Sequence, residues 1–178
     1  MYLPAYVPPS EVKEVELESS KKMILFSVWK FDKKLANEIY NVPIAFEYLS
    51  RNKKNYEMLF MVGNKLGSDE SYLQKMITKY GIANNIKIIY DQNLVNYLNN
   101  CALLLRPNLS DGYGVSIQEA LDLGVPALAS DVCRRPKGAI LFKNNDLEDL
   151  SKKIKFIFSQ SLESILIEKE ELDYHLKL

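Results

Sequence analysis

Asp111 and Glu119 stand eight residues apart, with Gly112-Tyr113-Gly114 after the first and Val115-Ser116-Ile117-Gln118 leading to the second. Ahead of them runs Ala102-Leu103-Leu104-Leu105 and then Arg106-Pro107, and behind them Val125-Pro126-Ala127-Leu128-Ala129 reads as another buried strand. A strand, a glycine turn and a helix start together aim backbone N–H groups at an anion. Carboxylates beside such a place accept hydrogen bonds from sugar hydroxyls. The chemistry suggested is the binding of a sugar attached to a phosphate.

Each of these residues also has a purely structural reading. Ser116-x-x-Glu119 has the form of a capping box, in which the Glu side chain returns to the cap residue's own N–H. Gly112 and Gly114 can serve a turn that needs positive φ. As a dinucleotide fingerprint the run fails, because Ile117 occupies the place of the third glycine. Arg134, Arg135 and Lys137 follow the fifth strand, where they are either solvated loop charges or contacts for a diphosphate. Arg106 has the same two readings, with an ion pair to Asp111 or Asp131 as the structural one. Tyr90 ends the third strand, and the neighbouring Asp91 is equally suited to capping a helix. Cys133 stands beside two arginines as a bystander thiol, and Cys101 reads as core. The lone His175 lies in a charged tail, outside the chemistry. No Asp-x-Asp occurs, so a metal carrying a diphosphate is not expected.

The elements that must hold these residues alternate along the chain. Strands are expected over Met23–Val28, Met58–Val62, Ile86–Tyr90, Ala102–Leu105, Ala127–Ser130 and Ala139–Phe142. Between them, helical spacing covers Val42–Leu49, a helix capped by Ser68 or Asp69 and stopped by Gly81, and a short helix over Leu94–Leu98. Asp146 opens a last helix with Leu147, Leu150, Ile154 and Phe158 on one face. Apolar strands alternating with amphipathic helices predict a doubly wound, mostly parallel sheet of about six strands, covered on both faces. Ligands of such sheets bind beyond the carboxyl ends of the strands, where Lys30, Gly63, Asp91, Asp111 and the 131–137 loop would converge.

Bulk properties set the outer limits. The chain has 178 residues, which is one domain by size and enough for a real core. Its 23 basic and 23 acidic residues balance, so nucleic acid is not an expected partner. No apolar run approaches the roughly 20 residues of a membrane helix. Two cysteines without metal spacing, and prolines in place of a leader, point to a cytoplasmic chain. Residues 1–20, with Pro4, Pro8, Pro9 and four glutamates, read as an interdomain linker or edge segment; residues 21–160 form the domain and 161–178 a helical tail.

With the motif placed in this way, the chain resembles the nucleotide-binding C-terminal half of retaining glycosyltransferases of the GT-B fold, group 1 type. The resemblance runs from about Met23 to Ser159. The family reads Glu-Gly-Phe-Gly, then a helix with Glu, Ala and Gly-Val-Pro, then a strand ending Ala-Ser-Asp. Here stand Asp111-Gly112-Tyr113-Gly114, Glu119-Ala120, Gly124-Val125-Pro126 and Ala129-Ser130-Asp131.

The resemblance implies a Rossmann-like domain in which Asp111 and the turn Gly112, Tyr113, Gly114, Val115 and Ser116 meet the donor sugar, and Glu119 the ribose. It places the nucleobase near Tyr90 and the diphosphate near Lys30; Arg106, Arg134 and Lys137 are further candidate cations by their position in the chain. Lys30 and Asp111 are the catalytic candidates. Two departures stand out. Asp111 replaces a glutamate, shortening the reach by about one bond length. The family's Arg and Lys after the first strand correspond only loosely to Lys30 with Lys33 or Lys34, blurred by an insertion through Tyr40.

The implied activity is hexosyl transfer, with retention, from a nucleotide diphosphate sugar to a saccharide or lipid-linked acceptor, as in polysaccharide biosynthesis. It needs no cofactor or metal, and it needs a separate N-terminal acceptor-binding domain, so the isolated domain would bind nucleotide without transferring sugar. A lipid-linked acceptor would bring the enzyme to the inner face of the membrane. The rival reading is a degenerate domain used for assembly. A sugar-nucleotide epimerase of the same architecture would need a histidine across the cleft.

Overall fold

The computed structural model describes residues 12–13 and 15–160. The expected tail over 161–178, and most of the expected linker, lie outside the described residues. Six strands, β1 Lys22–Val28, β2 Tyr56–Val62, β3 Ile86–Tyr90, β4 Leu103–Arg106, β5 Ala127–Ser130 and β6 Ile140–Phe142, form one sheet. Every pairing is parallel, and the spatial order is β3-β2-β1-β4-β5-β6. Parallel neighbours need crossovers: α1 Val42–Arg51, α2 Glu70–Tyr80, α3 Val95–Leu98 and α4 Val115–Asp122 supply the first four, a loop over 131–139 joins β5 to β6, and α5 Leu147–Ser159 follows β6.

The strands are apolar throughout because both faces are covered, and alternate residues enter different cores. Ile24, Phe26, Val28, Met58, Phe60, Val62, Leu103 and Leu105 pack under α1, α2 and α5. Met23, Leu25, Leu59, Met61, Leu104, Ala127 and Ala129 pack under α3 and α4. Val15 and Leu17 join the second core, so the segment before β1 runs along that face, and the Lys13 N–H reaches Asn96 Oδ1 on α3 at 3.0 Å.

Local chemistry sets the helix ends. Asp69 caps α2 by accepting from the Tyr72 N–H at 2.9 Å, and left-handed Gly81 stops it. Asp146 caps α5 in the same manner. The buried stripe of α5 is Leu150, Ile154 and Ile157, with Leu147 and Phe158 packed at its margin. Each fully buried aliphatic side chain contributes about 1.5–3 kcal/mol. Between β1 and α1, the stretch expected only as an insertion is a π-helical segment, Leu35–Ile39, closed by the Tyr40 N–H on the Leu35 carbonyl at 2.9 Å.

The order reverses between β1 and β4. Chain connections leave these neighbours in opposite directions, and ligands of such sheets bind beyond the carboxyl ends of the strands at that point.

Candidate functional site

The loop leaving β4 at Arg106 is pinned before it reaches the motif. Leu109 donates its N–H to the Ile39 carbonyl at 2.8 Å, joining this loop to the π-helical segment across the reversal point. Ser130 at the end of β5 donates its hydroxyl to the Asn108 carbonyl at 2.6 Å. The chain then turns back at Asp111.

Asp111 is held between two arginines. Arg106 grips both of its carboxylate oxygens, through Nε to Oδ2 and through Nη2 to Oδ1 at 2.8 Å. Arg135 Nη1 donates to Oδ2 at 2.6 Å, and the Gly112 N–H to Oδ1 at 2.9 Å. Burial alone would raise the Asp111 pKa, but the hydrogen bonds and charges of Arg106 and Arg135 outweigh it and hold the carboxyl below its usual range. The structural reading of Arg106, an ion pair to Asp111, is present. Asp131 lies elsewhere, accepting the Asn144 N–H at 2.8 Å.

Sequence reasoning grouped Arg135 with Arg134 and Lys137, and the structure sets it apart. Its side chain is 1% exposed and bonds the Ser130 carbonyl and hydroxyl, Asp111 and the Gly112 carbonyl. Its neighbours Arg134 and Lys137 are exposed. No local spacing separates Arg135 from Arg134; the distinction lies in a partner 24 residues upstream. Cys133 adds a further tie, its Sγ donating to the Gly112 carbonyl at 3.0 Å.

The start of α4 corrects the capping-box expectation. The cap is Gly114, at φ +89°, with no side-chain cap hydrogen bond, and Val115 is the first helical residue. A side chain at Gly114 is excluded by conformation and by space, since an added Cβ would stand 2.7 Å from Ile117 Cδ1. Gly112 differs: it is not left-handed, and nothing lies within 4 Å of an added Cβ. Ser116 is therefore inside the first turn, where its hydroxyl accepts from Arg106 Nη1 at 3.1 Å.

Glu119 is the fifth helical residue, beyond reach of a capping box. Three positions after Ser116, it shares that residue's side of the helix, with Cβ atoms about 5–6 Å apart. It is half-buried, and its carboxylate has no hydrogen-bond partner among the described residues. Burial first, and the charge of Asp122 second, raise its pKa. Tyr113 and Val115 are exposed on either side of Gly114.

The remaining candidates stand apart. Lys30 is turned toward the loop after β2: a Cβ on Gly67 would stand 3.2 Å from its Cε and Nζ. That loop lies across β1 from β4. Lys33 and Lys34 are exposed ahead of the π-helical segment. Trp29 is 67% exposed beside Gly63. Tyr90 carries Lys65 Nζ 4.8 Å above its ring, and its pKa is raised by burial and then by Glu70. Asp91 caps no helix; it accepts the Lys65 N–H at 2.8 Å, while Asn93 serves α3 by accepting from Val95.

With this geometry in place, comparison with known proteins decides the family. The model of the glycosyl transferases group 1 matches residues 10–172. The chain belongs to that family. It is 30% identical over 162 residues to Protein CapJ of Staphylococcus aureus, covering 77% of this chain and 37% of CapJ. Among solved structures, the lipopolysaccharide outer core galactosyltransferase WaaB superposes with a TM-score of 0.69 at 18% identity, over 90% of this chain and 48% of WaaB. HepE of Anabaena, solved in complex with UDP-glucose, superposes with a TM-score of 0.62 at 16% identity, over 77% of this chain and 39% of HepE. These likenesses establish the Rossmann-like α/β fold of GT-B glycosyltransferases. The chain spans less than half the length of each of these three relatives. Among the described residues no helix is long and apolar enough to cross a membrane.

Proposed function

We propose that this chain is the donor-binding domain of a retaining glycosyltransferase that moves a hexosyl group from a nucleotide diphosphate sugar to a saccharide or lipid-linked acceptor. The observation that carries the reading is Glu119, a half-buried carboxylate without a hydrogen-bond partner among the described residues, on the side of α4 that Ser116 and Arg106 share. A desolvated acid without donors costs stability, and ribose hydroxyls supply the donors it lacks. Two charge-assisted bonds at about 1.5–3 kcal/mol each make Glu119 the principal holder of the nucleoside. The helix start adds about 0.3–1 kcal/mol for a phosphate. UDP-glucose bound to HepE is in keeping with a donor of this class.

During transfer the nucleoside diphosphate departs with growing negative charge, and fixed cations and N–H dipoles lower that cost without reorganising. No metal takes part in this reading. The acceptor sits on a separate N-terminal domain, so this domain alone binds nucleotide and transfers nothing. The enzyme works in the cytoplasm, at the membrane's inner face where its acceptor is lipid-linked, in polysaccharide assembly. The pairing of Asp111 with its own arginines favours one rival, a scaffold that keeps the fold without using the donor site.

Titration of the chain with UDP, GDP and ADP, followed by NMR shift mapping, tests the proposal. One of the three should bind, with shifts centred on residues 111–119. Glu119→Ala should weaken it by about tenfold or more while leaving the spectrum of the fold intact. No binding of any of the three at millimolar concentration would leave the scaffold reading in possession.

A further inference from the structure

Arg106, Asp111 and Arg135 form a buried-to-exposed series: the side chain of Arg135 is 1% exposed, that of Asp111 8% and that of Arg106 22%. Two guanidinium groups against one carboxylate leave the set with a net charge of +1, since Asp111 stays ionised well below neutral pH. Of the five N–H groups of a guanidinium, Arg135 spends four on Ser130, Asp111 and Gly112. Arg106 spends three, on Asp111 and Ser116. Two N–H groups are left over on Arg106 against one on the buried Arg135, so the surplus charge is offered at Arg106, at the first turn of α4. Lys30 meanwhile is directed to the far side of β1.

We infer that Arg106 is the cation that receives the donor's diphosphate in this chain, and that Asp111 is a positioning residue that aims it rather than a group that touches the sugar. The inference deepens the donor-binding reading above and rests on it. Three contacts fix the guanidinium before any ligand arrives, two to Asp111 and one to Ser116, so binding loses little side-chain freedom. Arg135 makes the arrangement rigid from behind: it braces Asp111 against the end of β5 and the Gly112 carbonyl. A shorter acid than the family's glutamate suits this role, because it stays within reach of both arginines and withdraws from the crevice. The diphosphate would lie between the Arg106 N–H groups left over and the free N–H groups that open any helix.

The test separates phosphate from nucleoside and position from charge. Wild-type protein and the variants are titrated with the nucleoside, monophosphate, diphosphate and diphosphate-glucose of the base the wild type prefers, by calorimetry. Arg106→Gln should cut the gain from nucleoside to diphosphate by about tenfold or more, with nucleoside affinity unchanged. An equal loss for nucleoside and diphosphate would overturn the inference while leaving the donor-binding reading standing. Asp111→Asn raises the net charge of the set, so charge acting at a distance predicts tighter diphosphate binding; loss of aim predicts weaker binding, as in Arg106→Gln. Unchanged diphosphate affinity in Asp111→Asn, with a loss confined to the nucleotide sugar, would show Asp111 on the sugar and sink its positioning role. Should Asp111→Asn fail to fold, the phosphate dependence of Arg106→Gln still decides. Wild-type protein that binds no nucleotide would remove the donor-binding reading, and this inference with it.

Discussion

Asp111 and Glu119 are the same chemistry eight residues apart, yet the fold treats them in opposite ways. Asp111 lies at the loop end of the motif, where Arg106 and Arg135 satisfy both oxygens and its pKa falls. Glu119 lies a turn and a half into α4, where burial and Asp122 raise its pKa and no donor among the described residues meets it. An acid supplied with cations by its own chain is a structural part. An acid left desolvated without a partner has a place for an external donor. On the proposed donor-binding reading, the difference puts the ligand on the Glu119 side of the turn.

Removing the paired acid should have the largest effect. Asp111→Ala leaves Arg135 charged and buried, and truncating one member of a buried pair costs about 3–5 kcal/mol. Urea unfolding of the two proteins measures it. A loss below about 1 kcal/mol would mean that the arginines find other partners, and the contrast between the acids would collapse.

The acid limb of stability should follow more modestly. Asp111 has a lower pKa folded than unfolded, so its contribution is complete above the ordinary carboxylate pKa and is lost as pH falls through the folded value. Wild-type protein should therefore lose stability as pH falls below the ordinary carboxylate range, and Asp111→Asn should flatten that limb. An identical slope in both would assign the acid sensitivity to other carboxylates.

Much of this was legible in the chain before any coordinates. The six strands, the Asp69 and Asp146 caps and the Gly81 stop follow from apolar runs and side-chain chemistry that act within a few residues. Three features were not. The π-helical segment Leu35–Ile39 has no short-range signature distinct from a loop with scattered apolar residues. The cap of α4 was placed two residues late because Ser116 resembles a cap, whereas Gly114 takes that position by conformation alone, with Ile117 directly beneath it. Arg135 was indistinguishable from Arg134 until β4 and β5 became neighbours and brought it against Asp111. What escaped was set by pairings across the sheet, and the candidate site is where most of those pairings meet.

The smallest predicted effect probes the unpaired acid. A carboxyl whose pKa is raised on folding binds its proton more tightly in the native state, so the native state is favoured below the unfolded pKa. That advantage is lost as pH rises through the folded value. Glu119→Gln removes the ionisation and keeps the shape. At low pH the variant and the parent should be equally stable, and toward neutral pH the variant should become more stable by a few tenths of a kcal/mol, about 0.5 at most for a half-buried site that solvent still screens. Thermal unfolding at matched pH resolves a change of that size. A variant less stable than the parent at neutral pH would mean that the Glu119 carboxylate has a favourable partner within the protein. In that case its vacancy for a ribose would be lost, together with the contrast to Asp111.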